Sequence, residues 1–273
     1  MAASPGKLIS PQSNARRGGW ATWWPAWLLM RLLTGLTAWG LSGCGAGHEI
    51  DCLKSNGPVT TQRRAVSRQV RVVAVYDNVD LVIVPDTATY AEVRAGENVV
   101  NDIELSAPGG PRYLTIRNTS RCNWVRSYDT PREVRLHVPH LRDVAQHGYG
   151  RLSNVGRWAQ DTLFVRLVST GDIDLNLTST YLYVDNYDAG DLTLRGLAYD
   201  FHPNLGSNGF LFADGLDTQY CYFTTYPTWV GDAHVLVREG LGGVLKGSGT
   251  FYYRGSPNYV NVSGPNANRL VAR

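Results

Sequence analysis

The 273-residue sequence lacks the short motifs that mark the common classes of enzyme. Its four cysteines include no Cys-x-x-Cys pair, which argues against a zinc site or a dithiol redox site. No serine stands in a Gly-x-Ser-x-Gly context, and no glycine-rich phosphate-binding loop is present. These absences predict a protein that is not an enzyme and that carries no cofactor or metal.

Acidic side chains are missing from residues 1–43, which contain only basic charges: Lys7, Arg16, Arg17 and Arg31. A positive segment followed by an apolar one is typical of a signal peptide. Because Arg31 interrupts the apolar stretch 20–41, this stretch is a poor candidate for a membrane-spanning helix.

Methionine is scarce, and Met30 is the only one apart from the first residue. A chain that starts at Met30 has a short but complete signal sequence with its positive charge first. We expect Met30 to be the true start and residues 1–29 to be an extension of the gene model. Twin-arginine export through Arg16 and Arg17 is the alternative, although Gly18-Gly19 stands where apolar residues should follow that pair.

The apolar stretch ends in Leu41-Ser42-Gly43-Cys44, which resembles the lipobox of bacterial lipoproteins. In such proteins a lipid is attached to the cysteine, and cleavage occurs immediately before it. The resemblance implies a membrane anchor on Cys44 and a location in the cell envelope, which we expect to be the periplasmic or surface face of the outer membrane. A free cysteine in an ordinary signal peptide is the alternative.

An excess of positive charge is also lacking once residues 1–43 are removed. All 23 acidic residues but only 22 of the 26 basic ones follow residue 43, so the mature chain carries a net charge of −1. Nucleic-acid binding requires a basic surface that attracts phosphates. Nucleic acid is therefore not expected as a partner.

Three further cysteines follow Cys44, namely Cys52, Cys122 and Cys221. Two of them are expected to pair in an oxidising, extracytoplasmic compartment. We predict a Cys52–Cys122 disulfide that holds the start of the folded region, with Cys221 as a buried free thiol. A Cys122–Cys221 bridge, or no bridge, is the alternative.

The mature chain lacks helical periodicity and instead alternates apolar and polar residues with a period of two. Such alternation occupies residues 70–75, 79–84, 114–117 and 134–138, with turn residues between the segments. These segments are predicted to be strands with one buried face.

A glycine followed by a variable and an apolar residue recurs in the second half, at Gly150, Gly171, Gly190, Gly209, Gly231 and Gly249. Spacings of 18 to 22 residues are typical of a parallel β-helix, whose coils stack about 4.8 Å apart. The pattern predicts corner glycines with positive φ. It also predicts an interior ladder of Leu152, Ile173, Leu192 and Leu211. An antiparallel sandwich with evenly spaced turns is the alternative.

Four segments carry a resemblance to a known family: Val75-Tyr-Asp-Asn-Val-Asp-Leu81, Ala95-Gly-Glu-Asn98, Leu114-Thr-Ile-Arg-Asn118 and Arg121-Cys-Asn-Trp-Val-Arg126. With the glycine repeats, they resemble the putative auto-transporter adhesin, head GIN domain family of bacterial lipoproteins over roughly residues 50–265. The resemblance implies an all-β fold, a right-handed parallel β-helix (β-solenoid) with coils of about 20 residues, and it implies no catalytic residues. We therefore divide the chain into a signal peptide (1–43), a lipid-anchored tether with an N-terminal cap (44–69) and a β-helix domain (70–273).

Carboxylates crowd one segment of the second half, at Asp172, Asp174, Asp185, Asp188 and Asp191. Stacked coils can bring such groups together as a calcium site or as the acid/base pair of a glycosidase. The segment lacks the tandem repeat of calcium-binding β-rolls, and aspartate is a common turn residue, so we interpret the cluster as turn chemistry.

Three histidines also lie close together in the sequence, at His137, His140 and His147. No further ligand completes a metal-binding pattern around them, so no metal site is predicted.

All 15 tyrosines lie in the mature chain. Tyr181 and Tyr183 share one strand face, and so do Tyr220 and Tyr222; stacking of the coils would align these rings into a strip. We predict that this strip binds a ligand together with Trp229. The alternative is that the rings only stiffen the outside of the solenoid.

The sequence therefore predicts a non-catalytic cell-envelope lipoprotein that binds a glycan or a cell-envelope protein through an aromatic flank. The alternative is a carbohydrate-active β-helix enzyme that uses the carboxylates between Asp172 and Asp191.

Overall fold

The alternation of apolar and polar residues produces strands along the whole described part of the chain. The computed structural model describes residues 55–120 and 129–273. Within these residues, seventeen strands form one hydrogen-bonded sheet, accompanied by two short 3-10 turns at Val100–Asp102 and Ala267–Arg269. The strands are β1 Val59–Ala65, β2 Val72–Val75, β3 Asp80–Pro85, β4 Tyr90–Gly96, β5 Ile103–Ser106, β6 Tyr113–Asn118, β7 Arg132–Val138, β8 Asp143–Gln146, β9 Arg151–Asn154, β10 Trp158–Leu167, β11 Asp172–Asn186, β12 Leu192–Leu205, β13 Leu211–Thr225, β14 Asp232–Val244, β15 Thr250–Arg254, β16 Tyr259–Ser263 and β17 Leu270–Ala272.

The four strands predicted in the first half are confirmed as β2, β3, β6 and β7, within two residues at each end. Every second residue of β7 is buried and the residues between are partly exposed, as the sequence alternation requires.

The second half is a parallel β-solenoid with coils of about 20 residues, as predicted. From β8 onward, each strand pairs in parallel with the strand one coil later. The long strands β11 to β14 bend and contribute to two faces. The first face contains β9, the beginnings of β11 to β14, β15 and β17; the second face contains β8, β10, the ends of β11 to β14, and β16.

The predicted interior ladder is confirmed on the first face. Ile173 lies opposite Leu152 on one side and Leu192 on the other, and Leu211 follows Leu192. All four side chains are at most 1% exposed. Because each coil stacks on its neighbours, this apolar column is one of the hydrophobic contacts between successive coils.

The six repeat glycines do line one corner of the solenoid, but the positive φ predicted for them is wrong. None of the six repeat glycines has a positive φ. A Cβ on Gly190 would instead overlap the carbonyl oxygen of Gly171, and a Cβ on Gly209 would overlap that of Gly190. The glycines are therefore required by the close approach of successive coils at this corner rather than by a left-handed backbone.

Antiparallel pairing is confined to the N-terminal end of the described chain. There β4 pairs with β1 and with β7, and β5 pairs with β6. β7 then pairs in parallel with β3, and β6 pairs in parallel with β2, which continues the two faces into the solenoid. Across residues 55–120 and 129–273, none of the helices has the length and apolarity needed to cross a membrane.

Candidate functional site

The second face carries a group of aromatic rings that we call the tyrosine surface, made of Tyr181, Tyr199, Tyr220, Tyr222 and Tyr259 with Asp200 and His202. The strand register builds it. Asp200 lies opposite Tyr181 on one neighbouring strand and opposite Tyr220 on the other, so the carboxylate stands between two tyrosines. Neighbouring strands are about 4.8 Å apart, which places these two tyrosine backbones about 10 Å apart.

Four of these rings expose much of their surface. The exposed fractions are 42% for Tyr181, 54% for Tyr199, 39% for Tyr222 and 44% for Tyr259. The rings also contact one another: the centroids of Tyr199 and Tyr220 lie 5.6 Å apart in an edge-to-face arrangement, and Tyr220 stacks at 6.3 Å on Tyr222. This packing fixes the rings in place and leaves their outer faces open to a partner.

A second aromatic column runs beside the first and supports it. Phe164, Tyr183 and His202 stack on successive strands with centroids 4.8 Å apart at each step, and the His202 ring continues to Tyr222 at 5.6 Å. Tyr183 is therefore enclosed between two rings and is only partly exposed.

Two polar groups lie among the rings. The Nε2 atom of His202 lies 3.0 Å from the Oδ1 atom of Asp200, an ion pair when the imidazole is protonated. The approach is too oblique for a hydrogen bond, and this Asp200 oxygen is buried without a hydrogen-bond partner among the described residues. The tyrosine surface thus combines apolar ring faces with an imidazole and a carboxylate.

Glycines on the next coil make room for the rings at one end of this surface. A Cβ on Gly240 would overlap the ring of Tyr259, and a Cβ on Gly242 would meet the Tyr222 ring at 3.0 Å. The phenol oxygens of Tyr222 and Tyr259 consequently approach to 2.5 Å and share a hydrogen bond. This hydrogen bond and partial desolvation raise the pKa of Tyr222 to about 12, so its phenol stays protonated at neutral pH and can donate a hydrogen bond.

Trp229 does not belong to this surface, which corrects the sequence prediction. Trp229 is 0% exposed, and Gly231 and Gly249 lie against its indole and leave space where larger residues would stand. The remaining predicted residues, Tyr181, Tyr183, Tyr220 and Tyr222, do lie on one face.

Sequence reasoning did not single out Tyr199, Asp200, His202 or Tyr259 as site residues. The coil spacing contained part of the signal, since Asp200 follows Tyr181 by 19 residues and precedes Tyr220 by 20. Residues one coil apart lie side by side, so this spacing would have located the carboxylate between the two tyrosines.

The five clustered aspartates divide between the first face, the second face and the turn after β11, and each is engaged with a backbone amide or a side chain. On the first face, Asp172 accepts a hydrogen bond from the Asp191 amide at 3.1 Å, Asp191 accepts one from an amide of the next coil, and Asp174 pairs with two arginines. On the second face, Asp185 accepts a hydrogen bond from Asn204 at 2.9 Å, and in the turn that follows, Asp188 accepts one from a backbone amide. The turn interpretation holds only for Asp188 and Asp191, because Asp172, Asp174 and Asp185 lie within β11 and link that strand to neighbouring coils.

Two of the three histidines stack on tyrosines. His137 stacks on Tyr90 at 4.1 Å and lies 2.9 Å from an oxygen of Asp86, while His147 stacks on Tyr76 at 4.7 Å. Burial lowers the pKa of His147. Among the described residues, no group of three or more His, Cys, Asp or Glu side chains is arranged to hold a metal ion.

The cysteines fall in two groups. Cys221 is a fully buried free thiol on the second face, as predicted, and burial raises its pKa. The lipidation residue Cys44 and the disulfide residues Cys52 and Cys122 lie outside the described residues, so the lipid anchor and the Cys52–Cys122 bridge stay predictions.

Comparison with known proteins agrees with the fold. The family model described as putative auto-transporter adhesin, head GIN domain matches residues 71–257. A crystal structure of a putative adhesin from Bacteroides fragilis is similar with a TM-score of 0.67 and 18% identity, covering 80% of this chain and 97% of that one. A putative lipid binding protein from Parabacteroides distasonis is similar with a TM-score of 0.57 and 15% identity, covering 81% of this chain and 100% of that one. At these identities the likeness shows a shared fold. Comparison with curated proteins gives no match.

Proposed function

Because the chain belongs to the putative auto-transporter adhesin, head GIN domain family, we propose that it is a non-catalytic binding module of the cell envelope that holds a glycan on its tyrosine surface. The observation that carries the proposal is the alternation of Tyr181, Asp200 and Tyr220 on three neighbouring strands. This arrangement presents ring, carboxylate and ring in a line along the solenoid.

The chemistry of the surface favours a sugar over a wholly apolar partner. Tyrosine offers a flat apolar face together with a hydroxyl, and the carboxylate of Asp200 and the imidazole of His202 add hydrogen-bonding groups between the rings. A sugar carries apolar C–H faces and many hydroxyls, so it matches both kinds of group. The surface is open rather than a deep pocket, which suits part of a long chain.

Binding without cleavage is supported by the state of the carboxylates. The aspartates between Asp172 and Asp191 are engaged with backbone amides, arginines or Asn204. A glycosidase needs two carboxyl groups that flank one bond, with one free to act as an acid. We therefore propose retention of a glycan and not hydrolysis.

A lipid on Cys44 would hold this module at the outer membrane. The support is the sequence Leu41-Ser42-Gly43-Cys44 at the end of the apolar stretch.

Replacing Cys44 by serine is expected to move the protein from the membrane fraction to the soluble fraction, because acyl chains contribute about 0.8 kcal/mol per buried CH₂ group. Cell fractionation followed by mass spectrometry of the extracted protein is the measurement. The Cys52→Ser variant is the control and should stay in the membrane fraction. Membrane retention of the Cys44→Ser variant would show that the anchor lies elsewhere.

Alanine at Tyr181 or Tyr220 is expected to weaken glycan binding about tenfold each, which corresponds to about 1.4 kcal/mol for a ring that stacks on the ligand. The wild-type chain is first tested on an array of cell-envelope and dietary polysaccharides, and affinities for the retained glycan are then measured by calorimetry. Reducing ends are assayed in the same samples and should not increase.

The matched control is Tyr149→Ala, since Tyr149 is 58% exposed but lies outside the tyrosine surface. It should bind like the wild type. Equal losses in all three variants, or release of reducing ends, would contradict the proposed function. Retention of a protein and of no glycan would contradict the choice of ligand.

A further inference from the structure

Three arginines stack on successive strands near the N-terminal end of the second face. The Arg71 amide donates a hydrogen bond to the Arg112 carbonyl at 2.9 Å, and the Arg142 amide donates one to the Arg71 carbonyl at 2.7 Å. Arg112, Arg71 and Arg142 therefore precede β6, β2 and β8 at the same level of the stack. Their backbones are separated by single strand spacings of about 4.8 Å.

These arginines surround a concave site that we call the arginine cleft. It has a cavity volume of about 510 Å³ and is lined by Arg68, Gln69, Arg71, Val72, Arg112, Tyr113 and Arg142. The Nη1 atom of Arg71 donates hydrogen bonds to the Val70 carbonyl at 2.6 Å and to the Arg68 carbonyl at 3.4 Å, which hold this guanidinium beside the cleft. The volume falls in the range of small-ligand sites.

The positive charge of the cleft is not neutralised by the protein. Within residues 55–120 and 129–273, none of its four arginines forms an ion pair with a carboxylate. The nearest acidic residue in sequence, Asp143, pairs with Arg166 on the next strand. Elsewhere on the solenoid, Arg151 and Arg195 share Asp174, and Arg238 forms two hydrogen bonds with Asp217.

Like charges on adjacent strands repel one another, so such an arrangement is stabilised by a bound anion. Guanidinium groups match the oxygens of phosphate and sulfate through paired hydrogen bonds. Tyr113 and Val72 add an apolar wall beside the charges, and the Tyr113 ring is 47% exposed. We propose that the arginine cleft binds a phosphate or sulfate group carried on a small ring such as a sugar.

The concave shape favours a discrete group over a flat membrane surface. The cleft lies at the starts of β2, β6 and β8, whereas the tyrosine surface lies on β11, β12, β13 and β16. The two sites are therefore independent, so a negative result at the arginine cleft would not contradict the proposed binding of a glycan by the tyrosine surface.

The test is calorimetric titration of the full chain in non-ionic detergent at low salt, with inorganic phosphate, inorganic sulfate, glucose 6-phosphate and glucose as probes. Glucose 6-phosphate is expected to bind and glucose is not. Arg71→Gln should weaken the binding of glucose 6-phosphate about tenfold, and Arg71→Gln with Arg142→Gln about a hundredfold. Arg71→Lys should lie between wild type and Arg71→Gln, because lysine keeps the charge but loses the paired hydrogen bonds.

The matched control is Arg157→Gln, which removes an exposed arginine outside the cleft and should leave binding unchanged. All variants change exposed side chains, so their thermal unfolding should match the wild type. Equal weakening by Arg157→Gln, equal binding of glucose, or no arginine-dependent binding of any anionic probe would overturn the proposal.

A parallel flotation assay with phosphatidylcholine vesicles, with and without phosphatidylglycerol, distinguishes a lipid headgroup from a soluble ligand. We expect the variant with both Arg71→Gln and Arg142→Gln to float like the wild type on both vesicles. Arginine-dependent flotation on the anionic vesicles, without binding of glucose 6-phosphate, would overturn the proposal in favour of a membrane surface.

Discussion

Alanine at Gly190 is expected to lower the free energy of unfolding by about 3 kcal/mol, a large effect for a single methyl group. The new Cβ would overlap the carbonyl oxygen of Gly171, which belongs to the backbone and cannot rotate away. The two coils must separate at this corner, and the inter-coil hydrogen bonds beside it lengthen. Urea unfolding monitored by circular dichroism measures the change.

The matched control is Gly206→Ala, at a buried glycine in the turn one coil later. The nearest atoms to a Cβ there lie 3.4 to 3.8 Å away, which is ordinary van der Waals contact, and its φ is not positive. This variant should stay within about 1 kcal/mol of the wild type. If both variants lost a similar free energy of unfolding, the close approach of the coils would not be the reason for glycine at position 190.

Asparagine at Ile173 is expected to destabilise the protein by about 4 kcal/mol. Roughly 2 kcal/mol comes from the apolar burial that is lost, and a similar amount comes from an amide that finds no hydrogen-bond partner between Leu152 and Leu192. Chemical unfolding is again the measurement, and parallel expression tests whether the variant still folds.

The control on the same strand is Thr180→Asn, an exposed position of β11, which should change the free energy of unfolding by about 0.5 kcal/mol at most. If Ile173→Asn were as mild as this control, burial in the ladder would not stabilise the stacking of the coils.

The strands and the interior ladder could be predicted because burial on one side of a strand leaves a period-two pattern in the sequence. The coil length could be predicted because the glycines recur once per coil. The conformation of those glycines could not, since a close approach between coils and a left-handed backbone both select glycine. Only the positions of the neighbouring carbonyls distinguish the two causes, as at Gly190.

The members of the tyrosine surface were harder to predict although the register is regular there. Tyr181, Asp200, Tyr220, Gly240 and Tyr259 are paired from strand to strand at intervals of 19 or 20 residues. The spacing alone does not show that Tyr259 reaches Tyr222 two coils earlier, which is possible because Gly240 and Gly242 on the strand between them carry no side chains. Trp229 was wrongly assigned to the exposed strip because large aromatic residues occur both on exposed strips and in cores. The glycines that enclose its side chain come later in the sequence.

The arginines of the cleft do not recur at a regular spacing in the sequence. Its three stacked residues come from β2, β6 and β8 flanks in the spatial order Arg112, Arg71, Arg142, which does not follow the chain. Only the path of the N-terminal strands brings them together.

The parallel stacking of the coils has a consequence for how such a chain can change during evolution. The strands of each coil from β9 onward pair only with strands of the coil before and the coil after it, and the six repeat glycines occupy the same corner. Duplication or loss of one whole coil between two of these corners would preserve the pairing of the remaining strands, although contacts that span two coils, such as that of Tyr222 with Tyr259, would change. An insertion of an odd number of residues within a strand would instead turn the inward side chains that follow it outward, unless a bulge or turn absorbs it. Related proteins should therefore vary in length by steps of about one coil, and their outer surfaces should lengthen or shorten by one strand spacing at a time.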